Sequence, residues 1–420
     1  MALDHGELDA ILREARRSSL ATLTRLLGPA NLALAEDAVQ DAILEGLDHW
    51  VREGVPGNPA AWLTTVARRK ALDAIRREKR QTTDEQRATS NETALELSAT
   101  DDSEPTEDIA DSELRLLFLC CHPAIAADSR VALTLKVAGG FDTDEIARAF
   151  LADEAAVAQR IVRAKRTFRE LQLPYTLPNR DELPARLGSV LDVCYLMFNE
   201  GHTAHRGEEL LRRDLCQEAI RLISLIADRP DLAEPRVWAL LALFLFQAAR
   251  LPARIDANGA LVRLPQQDRS RWDHAMISEA LGCLDRSARG DDESVYHIEA
   301  EIASYHATAP SWEATDWDRI VRGYDKLLAI WPSPIVALNR AVALAERDGA
   351  EAGLAALEKL EGHSALQRYH LYYGTRGELL ARLGRTDEAR AAFQESRKYV
   401  QHSVVQGFVE LRLRELSSTG

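Results

Sequence analysis

Apolar residues recur along this chain at three- and four-residue intervals, the period of helices rather than strands. Leu8, Ile11, Leu12 and Ala15 open one stripe, and Leu20, Leu23, Leu26 and Leu27 continue it until Gly28-Pro29 breaks the pattern. A second helix is predicted over Ala35 to Trp50. Val39, Ala42, Ile43, Leu47 and Trp50 form its inner face, and Glu36, Asp37, Gln40, Asp41, Glu45 and Asp48 its outer one. Gly54, Pro56 and Gly57 mark a loop over 51–58. Asn58 as cap and Pro59 at the first turn then open a third helix, WLTTVARRKALDAIRREKR, from Trp62 to Arg80. Its apolar stripe is Trp62, Leu63, Val66, Ala67, Ala71, Ala74 and Ile75. Its other face carries Arg68, Arg69, Lys70, Arg76, Arg77, Lys79 and Arg80, opposed in sign only by Asp73 and Glu78.

The pattern lapses over 81–110, which holds nine acids and one base among residues 81–108 and predicts a flexible, solvated linker. Fully extended, some thirty residues reach up to ~100 Å. Two DNA elements 20–25 base pairs apart lie ~70–85 Å apart, within that reach. Helices resume at Ser112, with Leu114, Leu117, Phe118 and Cys121 inward. After Gly139-Gly140, Asp142 or Thr143 caps a short helix bearing Ile146, Ala147 and Phe150. A tight turn over Leu151 to Asp153 leads to a second helix with Val157, Ile161 and Phe168 inward and Arg160, Arg163, Lys165, Arg166 and Arg169 outward. Short helix, tight turn and basic helix form a helix-turn-helix, whose second helix enters the major groove and offers Ala156, Gln159 and Arg160 to base edges. Beyond residue 174, Val237 to Phe246 reads as a buried helix too short to span a bilayer. Gly377, Gly384, Ala389 and Phe393 sit at tetratricopeptide positions, Ala341, Gly353 and Leu357 give a weaker copy, and Tyr324 and Pro332 fit a third. Trp312, Trp317 and Trp331 read as core aromatics.

Charge sharpens this picture. The net charge of -14 excludes a non-specific nucleic-acid coat, so DNA contact must be focused on patches such as the Trp62 helix. The five cysteines are scattered and lack a CxxC pair, which predicts reduced thiols in the cytoplasm; no signal peptide and no membrane partner are expected. Cys120, Cys121 and His122 make a poor tetrahedral set, and Glu200, His202 and His205 lack a further ligand, so packing is expected there and no metal or cofactor. Asp268 to Asp273, with Arg254 and Asp256, predicts a buried ion-pair network.

Acidic helix, basic helix, linker and helix-turn-helix in this order resemble the bacterial extracytoplasmic-function (group 4, sigma-70 family) RNA polymerase sigma factors. Glu36-Asp37-Ala38-Val39-Gln40-Asp41 carries the EDxVQ pattern of region 2.2. Pro59 to Arg77 carries PxAWLxxxARxxAxDxxRR of regions 2.3 and 2.4, and Glu145 to Arg166 carries EIAxxF...VxxRxxRAKR of region 4.2. The likeness covers roughly residues 8–173. Tyr195 to His202, YLMFNEGH, is similar to the marker of a subgroup with a tetratricopeptide-like C-terminal extension.

The resemblance implies an all-α protein: a region 2 domain over 8–80, the acidic linker over 81–110, a region 4 helix-turn-helix over 111–173, a helical extension over 174–310 and repeats over 311–420. It implies that Asp37, Gln40, Asp41 and Leu44 dock on the polymerase core at the β′ clamp helices. Trp62, Arg68, Arg69, Lys70, Arg76 and Arg77 would hold the melted -10 element. Thr143, Ala156, Gln159, Arg160, Arg163, Lys165 and Arg166 would meet the -35 duplex, with the β flap as a further polymerase contact. Catalysis stays with the polymerase, and the repeats would take a protein or peptide. Two other readings compete: a helical adaptor whose helix-turn-helix is architecture only, and, ranked last, a metal enzyme built on the histidine segment.

Overall fold

The computed structural model describes residues 5–79, 109–150, 152–173, 175–202, 212–257, 259–290, 293–400 and 402–418. The linker expected over 81–110 lies outside them except for its last two residues, and so does His205. The fold is all-α. No strand forms among the described residues; a lone antiparallel bridge joins Ile255 to Leu261. The chain divides into two compact units, Met1–Leu196 and Met197–Gly420.

The N-terminal unit is built around α1 (His5–Leu27). The expected stripe of α1 holds, but every residue from Ser18 to Thr24 is buried, because α1 packs against α2 (Leu32–Glu53), α3 (Pro59–Lys79) and α4 (Ile109–Cys120) together. Small hydroxyls make that close approach possible without orphaned groups. Ser19 donates to the Ala60 carbonyl at 3.2 Å, Thr64 to Ser19 at 3.0 Å, and Thr24 to the Leu20 carbonyl at 2.7 Å. Gly28 ends α1 with φ +79°, and the Asn58 carboxamide caps α3 by accepting from Ala61 N–H at 3.0 Å. Leu63, Val66, Ala67, Ala71 and Ile75 of α3 are buried as expected.

Three further helices follow α4: α5 (Ala127–Val137), α6 (Thr143–Phe150) and α7 (Glu154–Leu171). Gly140, at φ +74°, makes the bend into α6, and Glu145 closes the helix start by accepting Asp142 N–H at 2.7 Å. The unit runs on past residue 173 into α8 (Leu183–His202). The Tyr175 hydroxyl lies 3.0 Å from the carbonyls of both Ala21 and Ser112, and buried Arg186 donates to the Phe118 carbonyl at 3.1 Å. These anchors fasten the chain beyond the helix-turn-helix to α1 and α4.

The C-terminal unit is a succession of helices that pack on their neighbours in sequence: α9 (Arg213–Ala227), α10 (Pro235–Ala248), α11 (His274–Ser287), α12 (Val295–Thr308), α13 (Trp317–Ile330), α14 (Pro334–Asp348), α15 (Ala350–Glu358), α16 (His370–Arg382), α17 (Thr386–Tyr399) and α18 (Ser403–Ser418). The Val237 to Phe246 run lies in α10 and is buried. Pro235–Ala253 is long and apolar enough to cross a membrane, but it is mostly buried inside the unit. Small residues set the helix spacing. A Cβ on Gly377 would lie 2.8 Å from the Phe393 ring, and one on Gly353 2.4 Å from Cβ of Ala345. Leu357, Leu380, Ala389 and Phe393 complete the shared core.

Two expectations for this unit need correcting. Trp331 is 42% exposed, because it caps the end of α13, and Trp312 and Trp317 are only half-buried. Among the described residues the DRSRWD stretch forms no ion-pair network. Asp268 accepts from Ser270 N–H and Asp273 from Met276 N–H, each capping a helix start, while Arg254, Arg269 and Arg271 donate to backbone carbonyls. The acids are consumed locally by capping, so the arginines turn elsewhere.

Candidate nucleic-acid and protein interface

Opposite charges segregate on the surface of the N-terminal unit. On α2, Asp37, Gln40, Asp41 and Leu44 are all exposed, Leu44 at 59%. Spacings of three and four residues put them on one helix face. Leucine in the middle of an acidic face is unsatisfied in water, so the patch is suited to a basic protein surface with an apolar centre. The outer face is narrower than its sequence suggests. Glu45 turns to α3, where Arg69 and Lys70 meet it at 2.6 and 2.8 Å. The Lys70 hydrogen bond, with Arg69 beside it, outweighs partial burial and holds the Glu45 carboxyl below its usual range. Glu36 turns to α7 and pairs with Lys165.

On α3, Arg69, Arg76 and Arg77 are exposed, while Arg68 and Lys70 are half-buried. Arg76 lies 3.6 Å from Asp73, and Arg77 Nε donates to the Asp73 carbonyl, so both remain near the surface of their own helix. Trp62 is half-buried at the α2–α3 junction. His49 stacks on it with centroids 5.5 Å apart, Trp50 meets it edge-on at 5.6 Å, and Gly46 leaves room for its ring. Sequence reasoning put Trp62 in the apolar stripe of its own helix but missed His49; its place one residue before Trp50 on the α2 edge was the available signal.

Both helices of the helix-turn-helix form as the pattern predicted; Leu151, which opens the expected turn, lies outside the described residues. Val157, Ile161, Ala164 and Phe168 of α7 are buried against α5 and α6, and Asp153 caps α7 by accepting from Ala156 N–H at 3.2 Å. Gln159, Arg163 and Arg166 are exposed, with Thr143, Ala156 and Arg160 half-buried. Arg160 lies 3.3 Å from Asp128, and Arg166 pairs with Glu170. Lys165 differs from the outward placement expected. It flanks buried Ala164 and is half-buried against Glu36 of α2. Val162, 61% exposed between Gln159 and Arg166, was missed because an isolated valine reads as core. Its three- and four-residue spacing from those two was the clue.

The two charged modules sit together in this unit. Arg16 donates to the Gly140 carbonyl at 2.8 Å, the Arg13 guanidinium lies 5.1 Å over the Phe141 ring and 3.7 Å from Glu145, and Ser18 donates to Glu113 at 3.3 Å. Asp142, held by Lys136 at 3.0 Å and Arg16 at 3.5 Å, stays below the usual carboxylate range although burial opposes this. Cys120 and Cys121 are fully buried free thiols, burial raising Cys121 to about 12. His122 Nδ1 accepts from Ala124 N–H. No group of metal-binding side chains occurs among the described residues.

Comparison with known proteins agrees with this layout. Residues 12–81 match the family described as sigma-70 region 2, and residues 115–168 the one described as sigma-70, region 4. Residues 186–288 match a family of unknown function, DUF6596. An uncharacterized protein of Rhizobium meliloti (strain 1021) is 41% identical over 419 residues, covering 99% of this chain and 97% of its own.

Proposed function

The chain belongs to the sigma-70 family of RNA polymerase sigma factors, with extracytoplasmic-function-type regions 2 and 4 and a C-terminal extension, and on that premise we propose which surfaces do the work. Sigma factors bind RNA polymerase core and promoter DNA and are initiation factors rather than enzymes, so the reading as an adaptor without promoter function falls away. The Asp37, Gln40, Asp41 and Leu44 face docks on the β′ clamp helices. Arg69, Arg76 and Arg77, with Arg68, Lys70 and Trp62 behind them, hold the melted -10 strand, where cations neutralise phosphates and an aromatic supports unstacked bases. Ala156, Gln159, Arg160 and exposed Val162 face -35 base edges in the major groove, where valine suits a thymine methyl. Arg163, Arg166 and Thr143 meet phosphates, and the helix-turn-helix also engages the β flap. The observation that carries this reading is the segregation of an exposed acidic-apolar face from two exposed basic faces on one unit.

We propose that α7 leaves α2 when both elements are read at once. Lys165–Glu36 and Arg13–Glu145 are partly exposed ion pairs, worth about 0–1 kcal/mol each; polymerase and DNA binding would have to outweigh them together with any of the Arg16–Gly140, Arg13–Phe141 and Ser18–Glu113 contacts that also release. Lys165 then becomes available to the -35 phosphates. The C-terminal unit, a tetratricopeptide-like stack, regulates the sigma domains through a protein or peptide partner, and work on core polymerase places the protein in the cytoplasm.

Permanganate footprinting of core polymerase with the full chain on promoter DNA tests the assignment. Arg69→Ala, Arg76→Ala and Arg77→Ala together should abolish thymine reactivity at -10 while -35 protection persists; retained -10 opening would remove α3 from that role. For the extension, truncation should follow Leu196 rather than residue 173, keeping Tyr175 and Arg186. Promoter-specific output unchanged by that truncation would remove the regulatory role.

A further inference from the structure

The C-terminal unit holds a half-open cavity of about 900 Å³, large enough for one small organic ligand. One wall is aromatic. Trp312 and Trp317 meet edge to face with centroids 4.5 Å apart, and His306 lies 5.3 Å from Trp317. The charged groups of the lining are Arg254, Arg263, Arg382 and Arg412 against Glu346 and Glu378, a cationic surplus inside a protein of net charge -14. Glu346 is matched by Arg382, while Glu378 is shared by Arg263 at 3.0 Å and Arg412 at 2.7 Å. Among the described residues Arg254 makes no ion pair; it donates to the His202 carbonyl.

Behind Arg254 the surplus deepens. Arg250 and Arg269 both lie over the Trp272 ring, at 5.8 and 4.4 Å, and neither forms an ion pair among the described residues. Arg269 is spent on the carbonyls of His306 and Ala309, at 2.7 and 2.9 Å. Its second terminal nitrogen, Arg250 Nε and His306 Nδ1 are buried without hydrogen-bond partners. Burial, with Arg254 and Arg269 beside it, drives Arg250 down to about 9, burial drives Arg254 to about 10, and burial beside Arg250 and Arg269 drives His306 down to about 3. On the far side, buried His402 accepts Val404 N–H at its Nδ1, which makes its Nε2 a donor, and that nitrogen has no partner. Half-buried guanidinium groups without carboxylates are costly unless an anion compensates them.

We propose that this cavity is a binding site for a small organic anion with an aromatic body, its anionic group at Arg254 and its ring system against Trp312 and Trp317. A carboxylate or sulfonate reaching Arg254 would make charge-assisted hydrogen bonds to a half-buried guanidinium. The ring fills the apolar remainder, and an acceptor on its far edge satisfies His402.

The test uses the full chain and two dyes that share a skeleton: 8-anilinonaphthalene-1-sulfonate, and neutral N-phenyl-1-naphthylamine. Fluorescence titration should give saturable, one-to-one binding of the sulfonate, about tenfold or more tighter than the neutral dye, the share expected of charge-assisted hydrogen bonds. Arg254→Gln should erase that preference while leaving the neutral dye within about twofold, and Trp317→Ala should weaken both. No saturable binding, equal affinity for the two dyes, or a preference that survives Arg254→Gln would overturn the proposal. Arg254 also holds the His202 carbonyl. If Arg254→Gln does not fold, wild type decides: 1-naphthoate should displace the sulfonate dye at concentrations where 1-naphthylmethanol does not, and equal displacement would overturn it.

Discussion

Both units are all-helical and arginine-rich, yet they dispose of their charge in opposite ways. In the N-terminal unit the exposed groups include Asp37, Asp41, Arg69, Arg76, Arg77, Arg163 and Arg166. In the C-terminal unit Arg250, Arg254 and Arg269 turn inward, toward tryptophan faces and carbonyls. Outward charge costs little in water and can be held for a macromolecular partner. Inward charge is costly and must be compensated within the fold or by a ligand. Substitution should therefore separate the units: outward residues should cost binding, and inward ones stability.

The largest effect expected is on the inward side. Phe393→Ala removes the ring that fills the space left by Gly377 and should cost about 3–5 kcal/mol in urea unfolding of the C-terminal unit. On the outward side, Asp37→Lys with Asp41→Lys should weaken core polymerase binding about 100-fold in a pull-down titration while unfolding stability moves by less than about 0.5 kcal/mol. Loss of fold in that double variant would break the contrast. Acid should strike the inward unit selectively. Burial beside Arg250 and Arg269 depresses His306 from 6.5 to about 3, so below pH 6.5 the unfolded state takes up a proton that the folded state refuses. His306 costs the unit nothing above about 6.5 and about 1.4 kcal/mol per pH unit as pH falls toward 3; buried His202, also held well below its usual value, adds to the slope, so His306→Gln should reduce the slope in thermal melts without removing it. Arg163→Ala should lower the salt slope of -35 DNA binding by about 1 and leave stability within about 0.5 kcal/mol. Smallest of all, Lys165→Ala should cost at most about 1 kcal/mol, because its pair with Glu36 is partly exposed.

Periodicity made the helices legible, and order made the family legible. Val157, Ile161 and Phe168, or Leu63, Val66 and Ile75, are buried where their spacing put them. The Gly377 and Phe393 contact was readable because only a residue without Cβ fits beneath that ring. What could not be read was which polar group meets which. Glu36 and Glu45 share a face with Asp37 and Asp41 in sequence, but partners on α7 and α3 capture the first two and leave the others exposed. Those partners come from distant segments. The DRSRWD cluster was misjudged for a related reason: a carboxylate just ahead of a helix start finds backbone N–H groups before it finds an arginine. The cavity left no sequence signal, since Arg254, Trp312 and His402 meet only through packing of the helical stack.

The most direct test of the outward-charge account is start-site-resolved transcription by purified core polymerase supplied with the full chain. Wild type should direct discrete starts on its promoters. Asp37→Lys with Asp41→Lys should abolish them on every template, and Arg163→Ala should weaken them without moving them. Discrete starts persisting undiminished in both variants would contradict the assignment of polymerase and promoter binding to these faces.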